Sequence, residues 1–245
     1  MAVLSHEGTY PILYGTWPIP VGSAHRNGYI ARPDEAGRVP VVFVVPDIDG
    51  MGSFEKDICR RLARSGFAAL TIDIYGQKGD GLDLYHAMTD DHALSVLDEL
   101  HQFVVSEDVS WSVDDEVGIL GLDVGGRFGL VKAATRDWAR SLVLCSTPLT
   151  GDEEREHHVA DYLDHLPIPV LGLYGGDDEW IDPSTVDEAQ RRNEHGQWLL
   201  YEGVGHGFLD IEGENFDQAA SDDALARIIA FFGASLAKPE IEELG

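Results

Sequence analysis

Three observations predict an α/β fold: a mostly parallel, doubly wound sheet with helices on both faces, in a single domain. Apolar runs rich in Val and Ile alternate along the chain with stretches of helical period, as in a sheet buried on both sides. The 245 residues are 44% apolar, enough for one sizeable core. No internal repeat or low-complexity linker divides them.

In chain order, the strands read from these runs begin with NGYIAR (27–32) and PVVFVVP (40–46). Helix 53–65 follows, SFEKDICRRLARS, and then the strand FAALTIDI (67–74). Residues 76–90, GQKGDGLDLYHAMTD, form the longest stretch without clear period and are expected to wall or cover a site. Next come helix 91–106, strand EVGILG (116–121), helix 125–136 and strand SLVLCS (141–146). IPVLGLY (168–174) precedes helix 183–193, whose Pro183 suits a first turn. QWLLY (197–201) and helix 215–236 complete the pattern, and the acidic tail 237–245 is expected to fray.

The chain carries 44 acidic and 17 basic residues, a formal charge of −27, with only four lysines. Such a surface repels nucleic acid and anionic membranes, which leaves a small molecule as the expected partner. It also suits a salty cytoplasm, where a Debye length of about 3 Å at molar salt relieves self-repulsion. Cys59 and Cys145, alone in the chain, form neither a disulfide framework nor a metal-ligand spacing and are expected in the core. No basic-then-apolar leader and no run of about eighteen apolar residues occurs, so the chain is expected to be soluble and cytoplasmic. Its oligomeric state is not legible.

GILGLDVGGRFGLVKAA (118–134) has the form of a sharp strand-to-helix turn that mounts a nucleophile, G-x-S-x-G, with Asp123 at its centre. Asp178, in YGGDDEWIDP, follows the strand ending at Tyr174, and His206, in YEGVGHGF, follows the strand ending near Tyr201. Ligands of open parallel sheets sit outside the carboxyl ends of the strands. Nucleophile, acid and histidine in that order, each at a strand end, therefore predict a catalytic triad. Singly, each has a plainer explanation: Asp123 as a helix cap, Asp178 as a turn residue, His206 as a structural histidine.

From about residue 27 to 236 the chain resembles the dienelactone hydrolase family of α/β-hydrolases. The resemblance lies in PVVFVVPDIDGMG, RRLARSGFAALTIDIYG, VGILGLDVGGRFGL, PVLGLYGGDDEWIDP and YEGVGHGF. It implies the α/β-hydrolase fold, oxyanion-hole amides on Ile48 and Val124, and at Asp47 the acidic residue that partners the family's nucleophilic cysteine. Two positions depart from the family: the cysteine is Asp123, and the arginine often found shortly after the histidine is Asp210. A small dianionic lactone is therefore not the expected substrate. The elbow also resembles the G-x-D-W-G-G turn of epoxide hydrolases and haloalkane dehalogenases, with Val124 in place of the tryptophan.

A carboxylate attacking an ester carbonyl would form a reactive anhydride, whereas attack on an epoxide carbon or a carbon–halogen bond gives a stable alkyl ester. Carboxyl groups ionise well below neutral pH and need no base to become nucleophilic. His206 is then left to activate water against that ester, with the Ile48 and Val124 amides holding the oxyanion. Tyr75 and Tyr85 are candidate donors to a leaving oxygen, and Trp180 a candidate pocket wall. Ester or lactone hydrolysis remains an alternative, as do a cyclase or isomerase with Asp123 as acid–base residue and a non-catalytic binding module. His86, Asp90, Asp91 and His92, and the pair His157–His158, match no metal-ligand spacing. Neither GQKGDG nor VGSAHRNG is a phosphate loop, and no cofactor is expected.

Overall fold

In the computed structural model, which describes residues 8–34, 37–136, 138–150, 154–236 and 240–241, the apolar runs form the centre of one sheet. Its strands are β1 (Ile12–Val21), β2 (Ala24–Pro33), β3 (Gly37–Val45), β4 (Ala68–Ile72) and β5 (Ser112–Leu122), followed by β6 (Ala139–Cys145), β7 (Val170–Gly175) and β8 (Gln197–Tyr201). The spatial order is β1-β2-β4-β3-β5-β6-β7-β8. From β4 to β8 every pairing is parallel, and β2 meets β4 antiparallel.

Side chains alternate between two apolar layers, as the two-residue period of a strand requires. Val41, Phe43 and Val45 of β3 face one cluster, while Val42 and Val44 face the other. The first is covered by α3 (Asp90–Val104), α4 (Val124–Thr135) and α5 (Pro183–Arg192), the second by α1 (Ser53–Arg64) and α6 (Gln218–Ser235). Parallel pairing brings the carboxyl ends of β3, β5, β6, β7 and β8 to one edge, where the site lies.

Four elements differ from the expectation. β1 and the start of β2 form a hairpin, and Pro18 and Pro20 are tolerated because β1 pairs only with β2, leaving its other edge outside the ladder. Residues 76–90 are not an irregular lid. They contain α2 (Gly81–Ala87), capped by the Asp80 carboxylate on the Leu82 and Asp83 amides. A 3-10 helix spans Val159–His165. In the acidic tail, Glu240–Ile241 form β9, which pairs antiparallel with β3; residues 237–239 and 242–245 lie outside the described residues.

The polar cluster considered around residue 90 has a structural task. Asp90 is buried and accepts hydrogen bonds from Arg127 Nη1 at 2.8 Å, from Arg155 and from the His157 amide, tying α3, α4 and the loop before the 3-10 helix together. His157 Nδ1 meets the Tyr162 hydroxyl at 2.7 Å, and His92 Nε2 meets Arg26 Nη2 at 2.8 Å. No described helix is long and apolar enough to cross a membrane.

Candidate active site

Strand β5 carries Gly121 and ends at Leu122, and α4, which holds Gly125 and Gly126, begins at Val124, one residue after Asp123. Asp123 has φ 45° and ψ −126°, a backbone region that costs a non-glycine residue about 1–3 kcal/mol. The glycines are needed because strand and helix nearly touch. A Cβ on Gly121 would lie 2.2 Å from Gly126 Cα, and one on Gly126 would lie 1.8 Å from Thr147 Oγ1. The Asp123 amide donates to the Cys145 carbonyl at 2.9 Å, and its carbonyl accepts from the Gly126 amide at 3.0 Å. Its carboxylate makes no capping bond to α4, so the plain helix-cap explanation does not hold. Instead Asp123 Oδ1 lies 3.5 Å from His206 Nε2.

Asp178, in the turn after β7, fills both roles considered for it. Oδ1 accepts the Trp180 and Ile181 amides at 2.8 and 3.0 Å, which makes the turn, and Oδ2 meets His206 Nδ1 at 2.8 Å. These bonds require Nδ1 to carry the proton and leave Nε2 facing Asp123. The His206 backbone is held by Asn215, whose Nδ2 donates to its carbonyl at 3.1 Å. Trp180 stacks on the imidazole, with ring centroids 5.2 Å apart and 21° between planes, while 75% of the residue remains exposed.

These charges set the proton affinities. Burial by itself would lower the His206 pKa, but its hydrogen bonds to Asp123 and Asp178 and their charges outweigh that and raise it to about 9. For Asp178 burial works the other way, and the His206 and Trp180 bonds hold the carboxyl below its ordinary range. Held between Asp123 and Asp178, the imidazole therefore keeps its proton to higher pH than an ordinary histidine. Asp47 is pushed up to about 6 by burial and by the charges of Asp49, Asp123 and Asp210, against the stabilising bond from the Asp49 amide.

The triad opens on a cavity of about 210 Å³. Asp47, Ile48, Trp180 and Asp210 line it, and Phe54, Leu122 and Leu209 supply apolar surface. Val124 is buried in the first turn of α4 and is not among the lining residues. The structure does not bring the two tyrosines into this cavity. Tyr75 donates its hydroxyl to the Ile48 carbonyl at 3.0 Å and borders neighbouring hollows, so its proton is committed to a backbone partner. Tyr85, on α2, lies beneath the Arg155 guanidinium and against Phe128. The 76–90 segment stands behind the Asp47–Asp49 turn rather than over the triad: a Cβ on Gly81 would lie 2.4 Å from the Ile48 carbonyl oxygen.

Two residues at the site had no signal in the sequence beyond their place after a strand or in a loop. Ser146, at the end of β6, has φ 47°, lines the cavity and accepts the Gly207 amide at 3.4 Å, fastening the histidine loop to the sheet. Asn215 is the other.

The sequence from residue 27 to residue 236 matches the model of the dienelactone hydrolase family. The chain belongs to the dienelactone hydrolase family. It is 28% identical over 243 residues to a protein of Escherichia coli strain K12 named "Putative carboxymethylenebutenolidase", covering 90% of this chain and 87% of that one. It is 31% identical over 204 residues to a Bradyrhizobium protein named "Probable 2-oxo-3-(5-oxofuran-2-ylidene)propanoate lactonase", covering 75% and 79% of the two chains. Among solved structures, "Putative Dienelactone Hydrolase from Klebsiella pneumoniae" superposes with a TM-score of 0.83 at 26% identity, over 91% of this chain and 99% of that one. This dienelactone hydrolase family member is thus an α/β-hydrolase with an aspartate at the elbow.

Proposed function

We propose that this protein is a hydrolase whose Asp123 carboxylate displaces an oxygen or halide from a saturated carbon, an epoxide being the favoured substrate type, and that His206 then drives hydrolysis of the alkyl ester. The observation that carries this reading is the uncapped Asp123 carboxylate at the strained elbow, 3.5 Å from an imidazole gripped by Asp178. A serine or cysteine there would need a neutral histidine to take its proton. Here Asp123 itself, by its hydrogen bond and charge, helps raise the His206 pKa to about 9, so the imidazole beside it is a proton donor rather than a base. A carboxylate nucleophile needs no such help.

The same protonation state supplies the donor that the tyrosines do not. Asp123 attacks the epoxide carbon, the carbon–oxygen bond breaks, and the leaving oxygen takes the proton from His206 Nε2. Asp123 is now an uncharged ester and His206 is neutral. Loss of the neighbouring negative charge lowers the imidazole's proton affinity, which prepares it to take a proton from water. The resulting hydroxide attacks the Asp123 carboxyl carbon, with the amides of Ile48 and Val124 assigned to the oxyanion. Collapse releases the alkoxide, which takes up the carboxyl proton, and restores the Asp123 carboxylate and the His206 imidazolium. The sum is epoxide plus water to diol. For an alkyl halide the first step releases halide and needs no proton, so His206 must lose its proton to solvent before it can take one from water, and the sum is alkyl halide plus water to alcohol, halide and a proton.

The names of the relatives favour a second reading, hydrolysis of a lactone or ester, in which Asp123 would serve as general base toward water. A single turnover in ¹⁸O-water distinguishes the two. Attack of water on the Asp123 ester places ¹⁸O in the Asp123 carboxylate, whereas direct attack on substrate places it in the product alone. The expected result is label in the peptide containing Asp123, with a trapped adduct in His206→Gln exposed to an alkyl halide. Label confined to product would overturn the nucleophile reading.

A further inference from the structure

We infer that the groove formed by the β1–β2 hairpin and the end of α3 is a second binding site, for a planar aromatic carboxylate whose anionic group is held by Arg32. It has a volume of about 470 Å³, against about 210 Å³ at the triad, and the two share no lining residue. Hollows of this size with apolar walls and few polar groups are the usual form of a small-molecule site. Binding there does not depend on the chemistry assigned to Asp123.

On the hairpin, register sets Leu13 opposite Arg32 and Gly15 opposite Ile30, and the two-residue period brings Trp17 to the face that Leu13 and Gly15 share. The Trp17 ring covers Gly15: a Cβ there would lie 2.9 Å from Cζ3 and 3.0 Å from Cη2, so a side chain at this position would displace the indole. Phe103 of α3, and Val109 and Trp111 of the loop after it, also line the groove. That loop is fixed, because the Val109 amide donates to the Ser106 carbonyl at 3.0 Å and the Trp111 carbonyl accepts the Val39 amide at 2.9 Å. Large apolar side chains are nonetheless left open to solvent here, with Leu13 43% and Trp17 46% exposed, as in a groove built to take a ligand.

Arg32 supplies the charge. It is half-buried, with its guanidinium carbon 6.0 Å from the centroid of the Trp111 ring. Among the described residues its one hydrogen bond runs from Nη1 to the Pro33 carbonyl at 3.1 Å, and it forms no ion pair. Arg60, Arg127, Arg155, Arg192 and Arg227, by contrast, each meet an aspartate within 3.0 Å. The N–H groups that Arg32 has left match the two oxygens of a carboxylate, and the rings around it match a planar apolar body. Asp108 lines the same groove and opposes an anion, but it is exposed, so water and salt screen it more than they screen Arg32. A second copy of the chain fits less well. Pro18 and Pro20 blunt the outer edge of β1 against an added strand, and two chains of charge −27 repel each other.

The probes are 2-naphthoate and its uncharged analogue 2-naphthamide, with affinity measured by calorimetry. The place of binding is read from the NMR signals of the five indole N–H groups, assigned with Trp→Phe variants. Naphthoate should shift the Trp17 and Trp111 signals and leave that of Trp180, at the triad, in place. It should bind roughly tenfold more tightly than the amide at low salt, with the preference shrinking in molar KCl. Arg32→Met, which keeps the apolar stem, should abolish the preference and leave the amide's affinity unchanged, and unmoved signals of the buried Trp138 and Trp198 show that the variant is folded. Asp108→Asn should strengthen naphthoate several-fold, a gain that loss of structure cannot mimic. Failure of naphthoate to bind, shifts confined to Trp180, equal affinity for the two probes, or a preference that survives Arg32→Met would each overturn the inference. So would a dimer in sedimentation that Trp17→Asp disperses, because the groove would then be covered by a second copy.

Discussion

Replacing Asp123 by Asn removes one negative charge from beside His206 while keeping the shape of the elbow, and alkylation of Asp123 would remove the same charge. The Oδ1–Nε2 separation is 3.5 Å, and both side chains are largely buried at the edge of an open cavity. An effective dielectric of about 20–40 at that distance gives an attraction of roughly 2.4–4.7 kcal/mol. At about 1.36 kcal/mol per pK unit this corresponds to about 2–3 units. The His206 pKa should therefore fall from about 9 to roughly 6–7 in Asp123→Asn, with the Asp178 bond retained. Titration of the imidazole Cε1–H resonances measures this directly, with His206→Gln identifying the signal among the ten histidines. A His206 pKa still near 9 in Asp123→Asn would mean that Asp178 alone sets it. The alkylation-driven change from proton donor to base would then be refuted.

Glu55 is held with a pKa raised from 4.5 to about 7, so the native state binds its proton more tightly than the unfolded chain and stability falls as pH rises from about 4.5 to about 7. Glu55→Gln, which keeps an acceptor for the Gly52 amide, should add about 2–3 kcal/mol at pH about 8 and nothing at pH about 4, measured by urea unfolding; equal gains at both pH values would refute the charge explanation. Asp90→Ala leaves Arg127 and Arg155 without their buried counter-ion and should cost about 3–5 kcal/mol in the same assay, and a loss below about 1 kcal/mol would show that the network is dispensable. With a net charge of −27, the melting temperature should rise from low to molar KCl as surface repulsion is screened, and a flat response would argue against adaptation to salt.

The β6 strand and the α3 and α5 helices lie close to the elements read from the chain, because buried apolar runs and capped amphipathic stretches are local signals. β1 was hidden by Pro18 and Pro20, which read as strand breakers unless the strand is known to lie at an edge. α2 was hidden by its short length and by the glycines and aspartates around it, and only the cap at Asp80 marks its start. The tyrosines illustrate the same limit at the site. Their spacing along the chain cannot tell a hydroxyl bonded to the Ile48 carbonyl from one aimed at substrate.

The sequence by itself determined the doubly wound sheet and the order of Asp123, Asp178 and His206 at strand ends. These follow from residue type and period, which are properties of neighbours in the chain. Only the tertiary structure decided that Asp123 spends its carboxylate on His206 rather than on a helix cap, and that the hydrogen bonds and charges of Asp123 and Asp178 raise the proton affinity of the imidazole between them. Those properties depend on distances of a few ångströms between residues far apart in the chain, since Coulomb energies and desolvation vary steeply with separation and burial and leave no trace in local sequence pattern.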